Sequence, residues 1–160
     1  MLRLDMKKVL ISLAIILVGI LGGIYYRFFF DNRFFLKNDT KQVVSLLQDI
    51  NAGEEFDLSG FTESDSVFVV EPYNDKFFET NSHLELLDCI KKSVEHMTLY
   101  DGYCQLLFVK GNKVVSFADI NRGVADFCGL DTCKTNYPNP KFSVKTTLYL
   151  DENKKAHLKQ

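Results

Sequence analysis

The sequence predicts an α+β fold, with an N-terminal transmembrane helix followed by a small antiparallel sheet. About four strands are expected in that sheet, with two helices packed on one face. Three observations lead to this prediction. Residues 9–26 are apolar and uncharged, two later segments repeat apolar residues at helical spacing, and several others alternate apolar with polar residues or are rich in β-branched ones. Separate groups of helices and strands with one clear hairpin indicate an α+β domain.

The predicted transmembrane helix rests on Val9–Tyr26, eighteen residues without a charge. A helix of this length spans about 27 Å, close to the thickness of a bilayer's hydrocarbon core. A cleaved signal peptide is the alternative, with Gly22-Gly23 as the small-residue site. The bulky aromatic residues over 25–30 suit a membrane interface better than a peptidase cleft, and they favour an uncleaved anchor.

The orientation of this helix is not decided by a count of cations, because basic residues flank it on both sides. The short leading segment, in which Lys7-Lys8 adjoins the apolar run, is typical of a signal anchor with a cytoplasmic N-terminus. We therefore expect a single-pass protein of the inner (plasma) membrane. The predicted parts are a cytoplasmic n-region (1–8), a transmembrane signal anchor (9–26), a juxtamembrane stalk (27–38), an extracytoplasmic, periplasmic α+β domain (39–150) and a disordered charged tail (151–160).

Two helices are predicted in the domain. The first is capped by Asp39 or Thr40, buries one apolar face and ends before Gly53. The second begins at Ser82, where Glu85 three residues later completes a capping box. The apolar positions of the two helices are Val43, Val44, Leu47 and Ile50 in the first, and Leu86, Leu87, Ile90, Val94 and Met97 in the second.

Four strands are predicted from β-branched, aromatic and alternating segments. Pro72 stops the first strand, and Gly111-Asn112 is a hairpin signal between the second and third. In the last strand, apolar residues occupy alternate positions, which is typical of a strand with one face in water. The predicted strands are Ser66–Val70, Tyr103–Val109, Lys113–Ala118 and Phe142–Leu150.

The charge distribution bears on the partners of the domain. From Phe34 onward there are 14 basic and 19 acidic residues, which gives a net charge of −5. Nucleic acid and anionic lipid surfaces both require clustered cations, so neither is an expected partner of the domain. A basic protein partner is compatible with this charge.

All four cysteines lie in the predicted domain: Cys89, Cys104, Cys128 and Cys133. An even number of cysteines in an exported domain predicts disulfides, and four cysteines allow three pairings. We favour a local bridge between Cys128 and Cys133 around Gly129, which leaves Cys89 to pair with Cys104. Buried free thiols are the alternative, and the spacing matches a zinc site poorly.

No catalytic, cofactor-binding or metal-binding residues are predicted. His83 and His96 lie at the two ends of the predicted second helix, and His157 lies in the charged tail. A cation near a helix C-terminus is favoured by the helix dipole, so His96 fits a stabilising role. No Gly-flanked serine nucleophile or glycine-rich phosphate loop is present. We therefore expect a protein that is not an enzyme.

The segment Asp65-Ser-Val-Phe-Val-Val-Glu-Pro-Tyr73 resembles a motif of small bacterial membrane-anchored proteins and lipoproteins of unknown function. In that motif a Trp-Asp pair opens a strand that ends in Pro-Tyr. Asp65, Pro72 and Tyr73 match it, whereas Ser64 stands in place of the tryptophan. The resemblance implies a location in the bacterial envelope and no particular activity. A purely structural role is also open, in which Pro72 ends the strand and Tyr73 covers the rim of the core.

Two functions follow as expectations. The first is an anchored periplasmic domain that binds another protein without catalysis, as an immunity or inhibitor protein does against an envelope-acting toxin. The second is an accessory or sensing component of a cell-envelope complex. Both require a protein partner, and neither requires a cofactor.

Overall fold

The computed structural model describes residues 6–30, 36–61, 63–86, 88–130 and 141–159, without the side chains of residues 6–11, 14, 26–30, 88 and 89. The chain divides into two compact units, Met1–Phe35 and Leu36–Gln160.

The first unit contains a single described helix, α1 (Met6–Phe30). Among the described residues, no helix combines the length and the apolar character of a membrane-crossing segment. This finding contradicts the predicted anchor over residues 9–26. The inner-membrane location and the periplasmic placement of the domain, which depended on that anchor, are contradicted with it.

The second unit is an α+β fold built on two sheets. Its larger sheet has the strand order β1-β5-β4-β3-β6, and its smaller sheet has the order β2-β7-β8. The elements in chain order are β1 (Lys37–Asn38), α2 (Thr40–Asp49), β2 (Glu55–Phe56), β3 (Ser66–Val70), α3 (Phe77–Thr80), α4 (Asp88–Met97), β4 (Tyr103–Lys110), β5 (Lys113–Asn121), β6 (Lys141–Ser143), β7 (Leu148–Leu150) and β8 (Ala156–Leu158).

The single antiparallel sheet of about four strands is therefore a wrong prediction. β1 pairs in parallel with β5, which makes the larger sheet mixed. β1 forms one edge of this sheet, and α2 follows it in the chain. The later strands β3, β4 and β5 are antiparallel to their neighbours in the sheet. The short edge strands were missed because two or three residues carry too little periodicity to be recognised from sequence.

The helices cover both faces of the larger sheet, whereas the sequence predicted both helices on one face. Val43 and Leu47 of α2 pack with Leu106 and Phe108 in one apolar cluster. Ile90 and Val94 of α4 pack with Leu107 and Val109 in a second cluster. Since neighbouring residues of β4 point to opposite faces, α2 and α4 lie on opposite sides of the sheet.

The second predicted helix begins six residues later than Ser82, at Asp88. Glu85, expected to complete a capping box, instead forms an isolated bridge with Lys113. Its amide donates to the Asn112 carbonyl at 2.7 Å. The backbone of this segment is thus bonded to the β4–β5 turn, and the helix starts only after it.

The predicted strand over 142–150 is two strands in different sheets. β6 pairs with β3, and β7 pairs with β2 and β8. The apolar alternation persists through the break because Phe142, Val144, Leu148 and Leu150 all enter one core cluster. Residues 156–158, expected to lie in a disordered tail, form β8.

Candidate functional site

Four large apolar side chains are exposed in the described part of the second unit: Tyr73, Leu99, Tyr100 and Tyr103. Tyr73 and Leu99 expose 70% and 73% of their surface, and Tyr100 and Tyr103 expose 48% and 41%. Large exposed apolar side chains in one place are typical of interaction sites, whereas scattered ones are ordinary. We call these four residues, together with His96, the aromatic surface.

Backbone hydrogen bonds bring the aromatic surface together. The Tyr73 amide, just after β3, donates to the Thr98 carbonyl at 2.8 Å, beyond the end of α4. The Tyr103 amide donates to the Tyr100 carbonyl at 3.4 Å. The rings of His96 and Tyr100 lie 4.6 Å apart between centroids. Three segments therefore meet at the end of the larger sheet where β3 and α4 end and β4 begins.

Tyr73 has a left-handed backbone, with a φ of 60°. Among the described residues other than glycine, only Lys154 shares a positive φ. For a bulky residue this conformation is an outlier, and it costs about 1–2 kcal/mol. Burial of the Tyr73 ring does not compensate for this cost, because the side chain is mostly exposed. Backbone outliers of this kind cluster at functional sites.

The residues of the sequence motif are not gathered into one site. Asp65 lies at the opposite end of β3 from Tyr73, where its carboxylate accepts a hydrogen bond from the Gly111 amide at 3.0 Å. Pro72 follows β3 and is half-buried. Tyr73 was expected to cover the rim of the core, and it points into solvent instead.

Acidic residues lie next to the aromatic surface in the chain: Glu71, Asp75, Glu95 and Asp101. The Glu71 carboxylate accepts a hydrogen bond from the Gly129 amide at 2.7 Å. Asp101 Oδ1 lies 3.1 Å from a terminal nitrogen of Arg122, and 70% of the Asp101 side chain is exposed. Lys76 follows Asp75 and Arg122 contacts Asp101, so the surroundings of the aromatic surface carry charges of both signs.

Arg122 also binds Asp126 through two hydrogen bonds. Its Nε donates to Oδ1 at 3.0 Å and a terminal nitrogen donates to Oδ2 at 2.8 Å. Burial alone would raise the pKa of the Asp126 carboxyl, but hydrogen bonds from Arg122 and Cys128 outweigh it and lower that pKa. The hydrogen bond to Asp126 is the main cause of a raised pKa for Arg122. The Arg122–Asp126 pair stabilises the turn that follows β5, next to the aromatic surface.

The disulfide prediction is contradicted by two cysteines that form no bridge. Cys104 in β4 and Cys128 are free thiols among the described residues. A hydrogen bond to the Cys104 thiol, followed by burial, raises the pKa of Cys128. The predicted pairs placed these two cysteines in different bridges, whereas the fold packs both into one core cluster. The Cys89 side chain and Cys133 lie outside the described residues, so neither predicted bridge is itself observed.

A raised pKa keeps the Cys128 thiol protonated, which makes it a poor nucleophile. The described residues also contain no group of three or more His, Cys, Asp or Glu side chains placed to hold a metal ion. The absence of an enzymatic activity stays a prediction.

The three histidines lie in separate places. His83 is exposed and its ring centroid lies 6.2 Å from that of Phe68. His157 stacks on Tyr149 at 5.1 Å, and its Nε2 lies 3.1 Å from Asp151. The hydrogen bond with His157 is the first cause of a lowered pKa for Asp151. Of the three histidines, only His96 belongs to the aromatic surface. Sequence reasoning singled out Tyr73 from its motif but did not predict this surface. The signal for the surface in the sequence was Leu99-Tyr100, two apolar residues in the turn that follows a helix.

No family model, curated protein or solved structure matches the chain. The resemblance carried by Asp65, Pro72 and Tyr73 therefore stays a prediction.

Proposed function

We propose that the Leu36–Gln160 unit is a protein-binding domain without catalytic activity of its own, and that it acts on its partner as an inhibitor or immunity protein does. The observation that carries the proposal is the aromatic surface. It contains the large apolar side chains that are exposed in the described part of this unit, and Tyr73 is held outward there on a strained backbone.

Tyrosine is among the residues that contribute most to protein interfaces, because it covers a large area and loses little conformational entropy on binding. Leu99 adds an aliphatic side chain that only a partner would remove from water. Basic side chains of a partner can pair with the carboxylates beside this surface and stack on its tyrosine rings.

The first experiment identifies the partner. A photo-crosslinking amino acid is introduced at Leu99 in the full chain, expressed in its own cells. The matched control position is exposed Lys145, which follows β6 at the opposite end of β3 from Tyr73. We expect one protein to be captured from position 99 and not from position 145. Inhibition is then measured directly, as loss of the purified partner's activity when the chain is added.

Affinity for that purified partner tests the surface itself. Tyr100→Ala should weaken binding about fivefold to thirtyfold, which corresponds to about 1–2 kcal/mol for an interface tyrosine. Tyr149→Ala, which removes a tyrosine from the smaller sheet, should leave the affinity unchanged. Equal losses in the two variants, or no captured protein at position 99, would refute the proposal.

Tyr73→Gly separates binding from stability. Glycine adopts a left-handed backbone without strain, which stabilises the fold, but it also gives the unfolded chain more conformational entropy. The relief of strain is the larger effect, so the free energy of unfolding should rise by about 0.5–1 kcal/mol. The affinity should fall, because the ring is lost. Lys154→Gly is the matched control, and it should stabilise the fold similarly without affecting binding.

A further inference from the structure

A cleft of about 590 Å³ opens beside β1 and the β4–β5 hairpin. Phe61 and Val115 bring apolar surface to it, and Lys37 and Lys110 bring two ammonium groups into a unit whose net charge is negative. The cleft shares no residue with the aromatic surface. Its lining is Lys37, Gly60, Phe61, Glu63, Lys110 and Val115.

Lys37 is held in place at this cleft from two directions. Its ammonium donates to the Phe61 carbonyl at 2.7 Å and lies 2.9 Å from Asp39 Oδ1. The Asp39 side chain is completely buried, while 57% of the Lys37 side chain is exposed. The ammonium therefore sits where a buried carboxylate meets the open cleft.

Asp39 is a costly residue to bury. The 2.9 Å contact with Lys37 lacks hydrogen-bond geometry, and neither Asp39 oxygen accepts a hydrogen bond from a described residue. A buried carboxylate without hydrogen bonds opposes folding unless a nearby charge compensates it. Asp39 occupies the N-cap of α2, but its side chain makes no capping bond. The Asp39 carboxylate instead contacts the Lys37 ammonium and holds it in position.

Lys110 is paired more loosely. Its ammonium lies 3.2 Å from Glu63 Oε2, in a pair whose side chains are 55% and 93% exposed. Exposed pairs of this kind contribute little, so Glu63 can turn into solvent at small cost. Lys110 then has donors available for another anion, since each ammonium carries three N–H groups.

We propose that this cleft binds a small organic carboxylate, with the carboxylate between Lys37 and Lys110 and the apolar body against Phe61 and Val115. Once Glu63 has turned into solvent, the two lysines are balanced by Asp39 alone. One net positive charge then remains, and it suits a single negative charge better than a phosphate dianion. The apolar walls supply the remaining contact area, as is usual in small-molecule sites.

The test is a titration of the ¹⁵N-labelled full chain with 3-phenylpropionate at low salt, followed by amide chemical shifts. We expect shifts centred on Gly60, Phe61 and Val115. The uncharged 3-phenylpropanamide should bind more weakly. Lys37→Met and Lys110→Met should each raise the dissociation constant about threefold to tenfold, the range for a charge-assisted contact at a partly exposed site.

Lys92→Met is the matched control, because it removes an exposed lysine from α4 on the opposite face of the sheet. Equal binding of the amide, equal losses in Lys92→Met, or shifts centred elsewhere would overturn the proposal. If Lys37→Met does not fold, Lys110→Met and the amide still decide the outcome. Tyr100→Ala should leave this titration unchanged, so failure here is distinct from failure of the protein-binding proposal.

Discussion

Asp126 shows how one residue can join two parts of the second unit, through its side chain and its backbone. Its carboxylate accepts hydrogen bonds from Arg122 and from the Cys128 amide. Its backbone amide donates to the Lys154 carbonyl, and its carbonyl accepts from the Ala156 amide, both at 2.8 Å. The side chain thereby stabilises the turn after β5 internally, and the backbone bonds that turn to the segment of β8.

The pH dependence of this residue follows from its lowered pKa. A carboxyl whose pKa is lower in the folded state than in the unfolded chain, where it is about 3.9, stabilises the fold above that pH. The stabilisation is lost as the pH falls through the folded-state pKa. Asp126→Asn should therefore lower the free energy of unfolding by about 1–2 kcal/mol at pH 7, with the difference from wild type shrinking below about pH 4.

Urea unfolding of both proteins between pH 3 and pH 7 measures this difference. Asp101→Asn is the control, because Asp101 pairs with the same arginine but is mostly exposed. Its effect should stay below about 0.5 kcal/mol at every pH. A constant gap between wild type and Asp126→Asn across the range would show that the charge of Asp126 does not stabilise the fold.

At the scale of elements, β8 is where composition misled the sequence prediction. Residues 151–160 are rich in charge, which is typical of a frayed end. Yet Ala156 is buried, and β8 pairs with β7 along three residues. The Asp151 side chain also accepts hydrogen bonds from the Asn153 and Lys155 amides, which closes the turn between the two strands.

Truncation after Asp151 tests whether β8 belongs to the cooperative fold. We expect it to lower the free energy of unfolding by at least about 2 kcal/mol, since several backbone hydrogen bonds are lost, each with a net value near 1 kcal/mol. Thermal unfolding and amide exchange of β7 would report the loss. Truncation after Leu158, which keeps β8, should cost much less. Equal stability of the two truncated chains would mean that β8 adds nothing.

The elements that were predicted well are those determined by local pattern. The β4–β5 hairpin forms as expected around Gly111, whose φ of 60° suits the turn. All five residues of β3 are buried, as a β-branched run between turn signals indicates. The start of α4 and the break between β6 and β7 were not predictable, because both depend on pairing with distant residues, Asn112 in one case and Phe56 in the other.

The candidate site was less predictable than the fold. Tyr73 could be singled out from its motif, but Leu99 and Tyr103 become neighbours of it only through the hydrogen bond between Tyr73 and Thr98. Likewise, nothing local indicates that Asp39 is buried against an exposed lysine. Sites assembled from separate segments need the tertiary structure to be recognised.

At the scale of the whole molecule, the described residues of the two core clusters all lie from Leu36 onward. A chain that begins at Leu36 should therefore fold without the first unit. We expect this fragment to unfold in one cooperative transition and to give amide spectra for β3, β4 and β5 that match those of the full chain. A molten fragment without dispersed spectra would contradict the division into two units.

The parallel pairing of β1 with β5 has a consequence for synthesis. Lys37 and Asn38 find their partners at Ser116 and Phe117, nearly eighty residues later in the chain. A ribosome makes β1 and α2 long before it makes the strand that receives them. The edge of the larger sheet, and with it the position of Asp39 and Lys37, can be completed only after most of the unit has emerged. Long-range pairings of this kind slow folding. Until β5 has been made, the apolar face of α2, with Val43 and Leu47, therefore stays exposed to water.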